Sequence, residues 1–163
     1  MASPSTSAAQ EMAEHQATPA ALHHVSLPVR DMKQSQRFFM NVLGGELVLD
    51  GPEFSEVRCG GMIIGLSPQS GGWTAPDAEF PHYAFLVDAE AFEPLKARLE
   101  AHGVPTHPIW TRNGYTALMY FRDPSGNLFE LYCPRFNAPE KLVRRGENGF
   151  APPIASLGYD WKG

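Results

Sequence analysis

Three residues have the types and positions to hold one divalent cation: His24 in LHHVSLPV, His82 in PHYAFLVD and Glu130 in GNLFELYC. Two imidazoles and one carboxylate suit Fe(II), Mn(II) or Zn(II), and leave up to three octahedral positions open to a chelating substrate. Such a set works only if every donor leaves its strand on the same face, which strand alternation tests. Val25, Leu27 and Val29 make the apolar side of the first segment, so His24 points the other way. Tyr83, Phe85 and Val87 do the same beside His82 and Ala84; Phe129 and Leu131 do so beside Glu130, Leu128 and Tyr132. His23 has the opposite parity to His24 and is expected to pack or cap. His107 can enter the same face from a later strand and is a candidate general base.

The elements that must position these residues follow from pattern and punctuation. LHHVSLPV alternates as a half-buried strand. Asp31 is an N-cap with Gln34 three positions on, and Phe38, Phe39, Val42 and Leu43 form an apolar stripe ending at Gly44, which predicts a helix over about 32–43. ELVLD, FSEVRC and MIIGLS follow as three strands, separated by Gly51-Pro52 and Gly60-Gly61. After a Gly-, Pro- and Ser-rich linker, HYAFLVD reads as a strand and AEAFEPLKARLEAHG as a helix. Pro94 falls early in that helix, where a missing N–H costs least. THPIWTR, YTALMYFRD and NLFELYC complete a second βαβββ unit. One such unit leaves a bare sheet face, and two side by side make a cup. The reading is therefore α+β: a leader over 1–20, module one over 21–68, a linker over 69–81, module two over 82–134 and a tail over 135–163.

Composition bounds the rest. The chain has 163 residues, 43% hydrophobic and 19% charged, enough for one packed domain. A formal charge of -5 without long single-sign runs argues against nucleic acid as a partner. No apolar stretch approaches the roughly 20 residues that span a bilayer, and no secretory signal pattern opens the chain, so no membrane partner and a cytoplasmic location are expected. Cys59 and Cys133 are too far apart in sequence for a zinc knuckle and read as small buried apolar side chains.

The segments HHVSLPVRDM, FFMNVLGG, PHYAFLV and YFRDPSGNLFELY together resemble the vicinal oxygen chelate superfamily, which holds glyoxalases, fosfomycin-resistance proteins and extradiol dioxygenases, over roughly residues 22–134. The resemblance implies a cup of two βαβββ modules, a metal at His24, His82 and Glu130, a small-molecule substrate and a homodimer. Exchange of modules would set His24 of one subunit opposite His82 and Glu130 of the other, so the site lies either within or between chains. Glyoxalase-type relatives use a fourth ligand on the fourth strand, where this chain has Gly65; Glu56 on the preceding strand is a candidate replacement.

Met119 to Glu130 is similar to the segment that marks extradiol ring-cleaving dioxygenases, which implies an Fe(II)-dependent dioxygenase acting on a catechol-like chelator. Tyr120 shares the cup face with Thr116 and Leu118 and could hydrogen-bond an oxygen on the metal. Those enzymes carry a histidine upstream of this tyrosine, where this chain has Thr111, Arg112 and Asn113. Arg112 could hold an anionic oxygen, and Asn113 or Tyr115 could donate a hydrogen bond. The alternatives are a fosfomycin-type transferase or hydrolase, with Arg112 as the main anion holder, and a glyoxalase-type lyase. A non-enzyme alternative is a drug-sequestering protein of the bleomycin-resistance kind, its pocket lined by Trp73, Trp110, Tyr115 and Tyr120. Phe150, Ile154, Leu157, Tyr159 and Trp161 could anchor the tail on the body or on a partner.

Overall fold

The computed structural model describes residues 21–70, 77–159, 161 and 163. The leader over 1–20 and Trp73 lie outside them. The two expected βαβββ modules are present, each with its own sheet.

In module one, β1 (His24–Val29) leads to α1 (Met32–Arg37), and β2 (Glu46–Asp50), β3 (Ser55–Cys59) and β4 (Met62–Pro68) follow. Asp31 caps α1 by accepting the Gln34 N–H at 2.9 Å. The expected helix over 32–43 departs from a regular α-helix after Arg37, where it widens into a π-helical turn, Phe38–Val42. That turn seats Phe38, Phe39 and Val42 together in the core, each fully buried. The β3–β4 hairpin turns through Gly60 and Gly61 at φ 57° and 77°, the paired left-handed conformation that a two-residue hairpin requires. The sheet order is β1-β4-β3-β2, with β1 parallel to β4.

Module two repeats the plan with β5 (Tyr83–Leu86), α2 (Ala89–Ala101), β6 (Trp110–Thr111), β7 (Ala117–Arg122) and β8 (Leu128–Cys133). Strand β6 is shorter than THPIWTR suggests. The tail adds β9 (Val143–Arg144), parallel to β6, giving the order β5-β8-β7-β6-β9. β1 and β5 are therefore both sheet edges.

The main core lies between the apolar sides of the two sheets and their helices. Phe129 is its centre: it stacks on Phe85 and Phe121 and meets Phe39 edge-on at 5.7 Å. A second cluster forms on the opposite side of β7 and β8, where Ile154 and Leu157 of the tail cover Trp110, Leu118, Tyr120 and Leu128. Trp161 then returns to module one, packing on Phe38 at 5.5 Å while its carbonyl accepts a hydrogen bond from Gln34. The tail is thus a strap across both modules.

The modules are also clasped at the Asp123–Asn127 turn. Asn127 Nδ2 donates to Asp123 Oδ2 at 2.8 Å and to the Pro28 carbonyl at 3.0 Å, and the Arg30 N–H donates to Ser125 Oγ at 3.0 Å. Asp123 is fully buried, and burial lifts its carboxyl to about 6 against the hydrogen bonds from Asn127, Ser125 and Gly126. No helix among the described residues is long and apolar enough to cross a membrane.

Candidate metal centre

His82 immediately precedes β5 and Glu130 lies mid-β8, and the parallel pairing of these strands places Ala84 directly beside Glu130. His82 Nδ1 lies 2.8 Å from the Glu79 carbonyl, which can only accept, so Nδ1 carries the proton. This fixes the ring and turns Nε2 toward Glu130 Oε2 at 2.9 Å. The other oxygen, Glu130 Oε1, is buried without a hydrogen-bond partner among the described residues. Burial raises the Glu130 pKa, while His82 and Arg112 oppose the rise. A fixed imidazole nitrogen facing a carboxylate with an orphaned oxygen is a donor set that a divalent cation satisfies, so the residues fit a metal.

The pair opens into a cavity of about 400 Å³ lined by His82, Ala84, Arg112, Asn113, Thr116, Leu118, Glu130 and Tyr132. Leu118, Tyr120, Glu130 and Tyr132 share this side of the sheet, as the alternation requires. No group of three or more His, Cys, Asp and Glu comes together among the described residues, so His24 does not complete the set within one chain. It lies exposed on β1, in the other sheet, with His23 Nδ1 3.2 Å from its own Nδ1.

Glu79 anchors a charged cluster beside the cavity that sequence pattern does not disclose. Its carboxylate takes Arg145 in a two-point contact, 2.7 Å on each oxygen, with Arg112 Nη2 at 3.0 Å and the Tyr120 hydroxyl at 2.9 Å. The Arg145 guanidinium, aided by Tyr120 and Arg112, holds the Glu79 carboxyl down to about 2 against a smaller opposing effect of burial. Both guanidinium groups lie over the Trp110 ring, at 5.5 and 5.6 Å from its centroid.

The other candidates fall into place around this cluster. Tyr120 is fully buried and its hydroxyl is committed to Glu79 instead of projecting into the cavity; burial and the negative charges of Glu130 and Glu79 raise its pKa. His107, expected as a base, has both ring nitrogens committed to backbone: Nε2 accepts the Tyr120 N–H at 3.1 Å, and Nδ1 meets the Pro108 carbonyl at 2.9 Å. Its burial lowers its pKa, and it serves as a neutral brace between strand and loop. Asn113 Oδ1 accepts the N–H groups of Tyr115 and Thr116 and the Thr116 hydroxyl, which makes it a turn former at the cavity rim. Tyr115 is exposed and does not line the cavity.

At Gly65 an added Cβ would lie 2.7 Å from Phe54 Cζ and 2.8 Å from Ser26 Oγ. The position that would carry a fourth ligand is thus occupied by the Phe54 ring. Glu56 is its direct neighbour on β3, facing the same way, but it does not meet His82 or Glu130 in a common cluster.

A family model described as the Glyoxalase/Bleomycin resistance protein/Dioxygenase superfamily matches residues 21–131. Glutathione transferase FosA of Serratia marcescens is 36% identical over 115 residues, covering 69% of this chain and 79% of that protein. The structure of FosX from Listeria monocytogenes complexed with Mn(II) and sulfate superposes with a TM-score of 0.62 at 24% identity, over 75% of this chain and 95% of that one. Lactoylglutathione lyase from Agrobacterium tumefaciens gives 0.58 at 25% identity, over 71% of this chain and 94% of that one. With its two βαβββ modules and a metal-fitting pair on the inner sheet face, the chain belongs to the Glyoxalase/Bleomycin resistance protein/Dioxygenase superfamily, the vicinal oxygen chelate proteins.

Proposed function

We propose that the protein is a divalent-metal-dependent enzyme of the fosfomycin-resistance type, adding a thiol such as glutathione, or water, to a small epoxide that carries an anionic group. The observation that carries this is the His82–Glu130 pair with its orphaned Glu130 oxygen, facing a cavity that also holds Arg112. Likeness to a glutathione transferase supports this alternative over the Fe(II) ring-cleaving dioxygenase that the Tyr120–Glu130 segment resembles, and Mn(II), present in the FosX complex, becomes the first metal to try.

When bound, a divalent cation would polarise the epoxide oxygen as a Lewis acid. The chain's own residues supply orientation. Glu79 holds the His82 tautomer through its carbonyl, Arg112 presents a guanidinium edge for the anionic group, and Ala84 and Leu118 give an apolar wall. In the addition, a sulfur–carbon bond forms, one ring C–O bond breaks, and the thiol proton ends on the released oxygen.

The remaining ligand is His24 from a second copy of the chain. His24 lies on β1 and His82 immediately before β5, both strands being sheet edges, so two copies set edge to edge would bring the two halves of the ligand set together. This makes the working unit a homodimer.

The test is metal analysis and Mn(II)-dependent loss of glutathione thiol with fosfomycin as substrate, for the intact chain and Glu130→Ala. Stoichiometric Mn(II) and conjugate formation, both lost in the variant, support the reading. Oxygen uptake with catechols and no conjugate under any thiol condition would replace it with ring cleavage.

A further inference from the structure

We infer that Glu79 sets the charge of the substrate-binding end of the site, so that Arg112 receives a singly charged oxyanion, a carboxylate or a phosphonate monoanion, in preference to a dianion. The inference rests on the proposed reading of His82 and Glu130 as the metal end of the same site.

Arg112 and Arg145 both lie over Trp110, Arg112 also lining the cavity, so without a counter-ion the pair would be doubly positive. The Glu79 carboxylate lies between them and takes three guanidinium contacts as well as the Tyr120 hydroxyl. Its side chain is only 17% exposed, whereas those of Arg112 and Arg145 are 47% and 39% exposed. The carboxylate is therefore a fixed internal part of the cluster, and each guanidinium keeps an edge toward solvent. Within the Arg112–Arg145–Glu79 cluster, one carboxylate against two guanidinium groups leaves a single net positive charge, and the Glu130 carboxylate lies beyond it at the metal end of the cavity.

The geometry also separates the two arginines. Arg145 is held by both Glu79 oxygens, while Arg112 gives Glu79 only one nitrogen and lines the cavity beside Glu130. Arg112 is thus the arm with donors left for a ligand, and Arg145 is the counter-ion that pins the carboxylate. Because Arg145 comes from the tail strap and Glu79 from the linker, the charge-setting unit lies outside both βαβββ modules.

The experiment is a titration of purified, metal-free dimer with acetate, methylphosphonate and inorganic phosphate at pH 8, following the Trp110 region by fluorescence or NMR, with Mn(II) binding measured in parallel. The wild type should hold acetate at least as well as the dianions. Glu79→Gln, which raises the net charge by one, should tighten phosphate and methylphosphonate by about tenfold or more while changing acetate several-fold less. Glu79→Asp should keep the wild-type ranking. Equal weakening of all three anions in Glu79→Gln, the signature of a loosened cluster, would overturn the inference, as would an unchanged ranking. Retained Mn(II) binding alongside either result shows that the charge argument failed and the metal reading did not. Loss of Mn(II) binding in the wild type itself would remove the basis of both.

Discussion

Asn127→Ala is expected to destabilise the protein by an amount that depends on pH. Asn127 is 3% exposed, and its Nδ2 donates to two acceptors: the half-buried Pro28 carbonyl at 3.0 Å and the fully buried Asp123 Oδ2 at 2.8 Å. Losing the first costs about 1 kcal/mol, and losing the second about 1.5–3 kcal/mol when Asp123 is ionised, giving about 3 kcal/mol at pH 8. At pH 5 the folded protein keeps Asp123 largely protonated, because its pKa is raised to about 6 from 3.8, and the cost falls to about 2 kcal/mol or less. The sign follows from linkage. A carboxyl whose folded pKa is raised contributes stability that is full below 3.8 and is lost as pH rises through about 6, amounting to about 3 kcal/mol in the wild type. Removing a hydrogen bond to the ionised form pushes the folded pKa higher still, so the variant goes on losing stability above pH 6 after the wild type has levelled off. Urea unfolding of both proteins at pH 5 and pH 8 measures this directly. An equal difference at the two pH values, or one below about 1 kcal/mol at pH 8, would refute the reasoning.

Mixing His24→Ala chains with Glu130→Ala chains should restore metal sites, each variant alone having none intact. Random pairing makes half the dimers mixed, and each mixed dimer has one undamaged site if ligands come from both chains, so metal content should recover to about a quarter of wild type. No recovery would place all three ligands within one chain. Gly65→Ala should cost about 1–3 kcal/mol in thermal or urea unfolding, because the new methyl would press on Phe54 and Ser26 at 2.7 and 2.8 Å. A neutral result would mean that the Phe54 ring swings aside. Glu79, whose folded pKa is depressed to about 2 from 4.5, contributes stability present above 4.5 and lost as pH falls through about 2. Allowing for solvent screening at its part-exposed arginines, the Glu79→Gln penalty should be about 1–2 kcal/mol at pH 6 and shrink toward pH 2.5 in thermal melts.

Strand parity was legible because each of β1, β5 and β8 has one side built from large apolar residues. Val25, Leu27 and Val29, and likewise Phe129 and Leu131, pack into the main core and leave the polar members opposite. The π-helical turn was not legible, since Phe38, Phe39 and Val42 suit an α-helical stripe equally well and only packing shows that the helix has widened. His107 looked like a base from its position alone, but its commitment to the Tyr120 N–H depends on how the irregular segment before β6 meets β7, which periodicity does not describe. Asn113 carried a readable signal, Asn followed by Gly, which marks a turn. Glu79 and Arg145 had none: one lies in a Pro-rich linker and the other in the tail, and their pairing spans 66 positions. The small pocket, with Arg112 beside Glu130, emerges only once those distant segments fold together.

The double covering of β7 has a consequence for how the two halves of a shared site would behave. All six of its residues are buried, Ala117, Met119 and Phe121 against the main core and Leu118 and Tyr120 under the tail. Backbone amides here should exchange with deuterium only on global unfolding, whereas β2, exposed at four of five positions, should exchange through local opening. The β7–β8 pair that carries Glu130 would therefore be the more rigid part of the proposed site. If His24 of a second copy completes the proposed site, the half that offers it has more room to adjust, so tuning of ligand geometry on assembly would fall to that histidine.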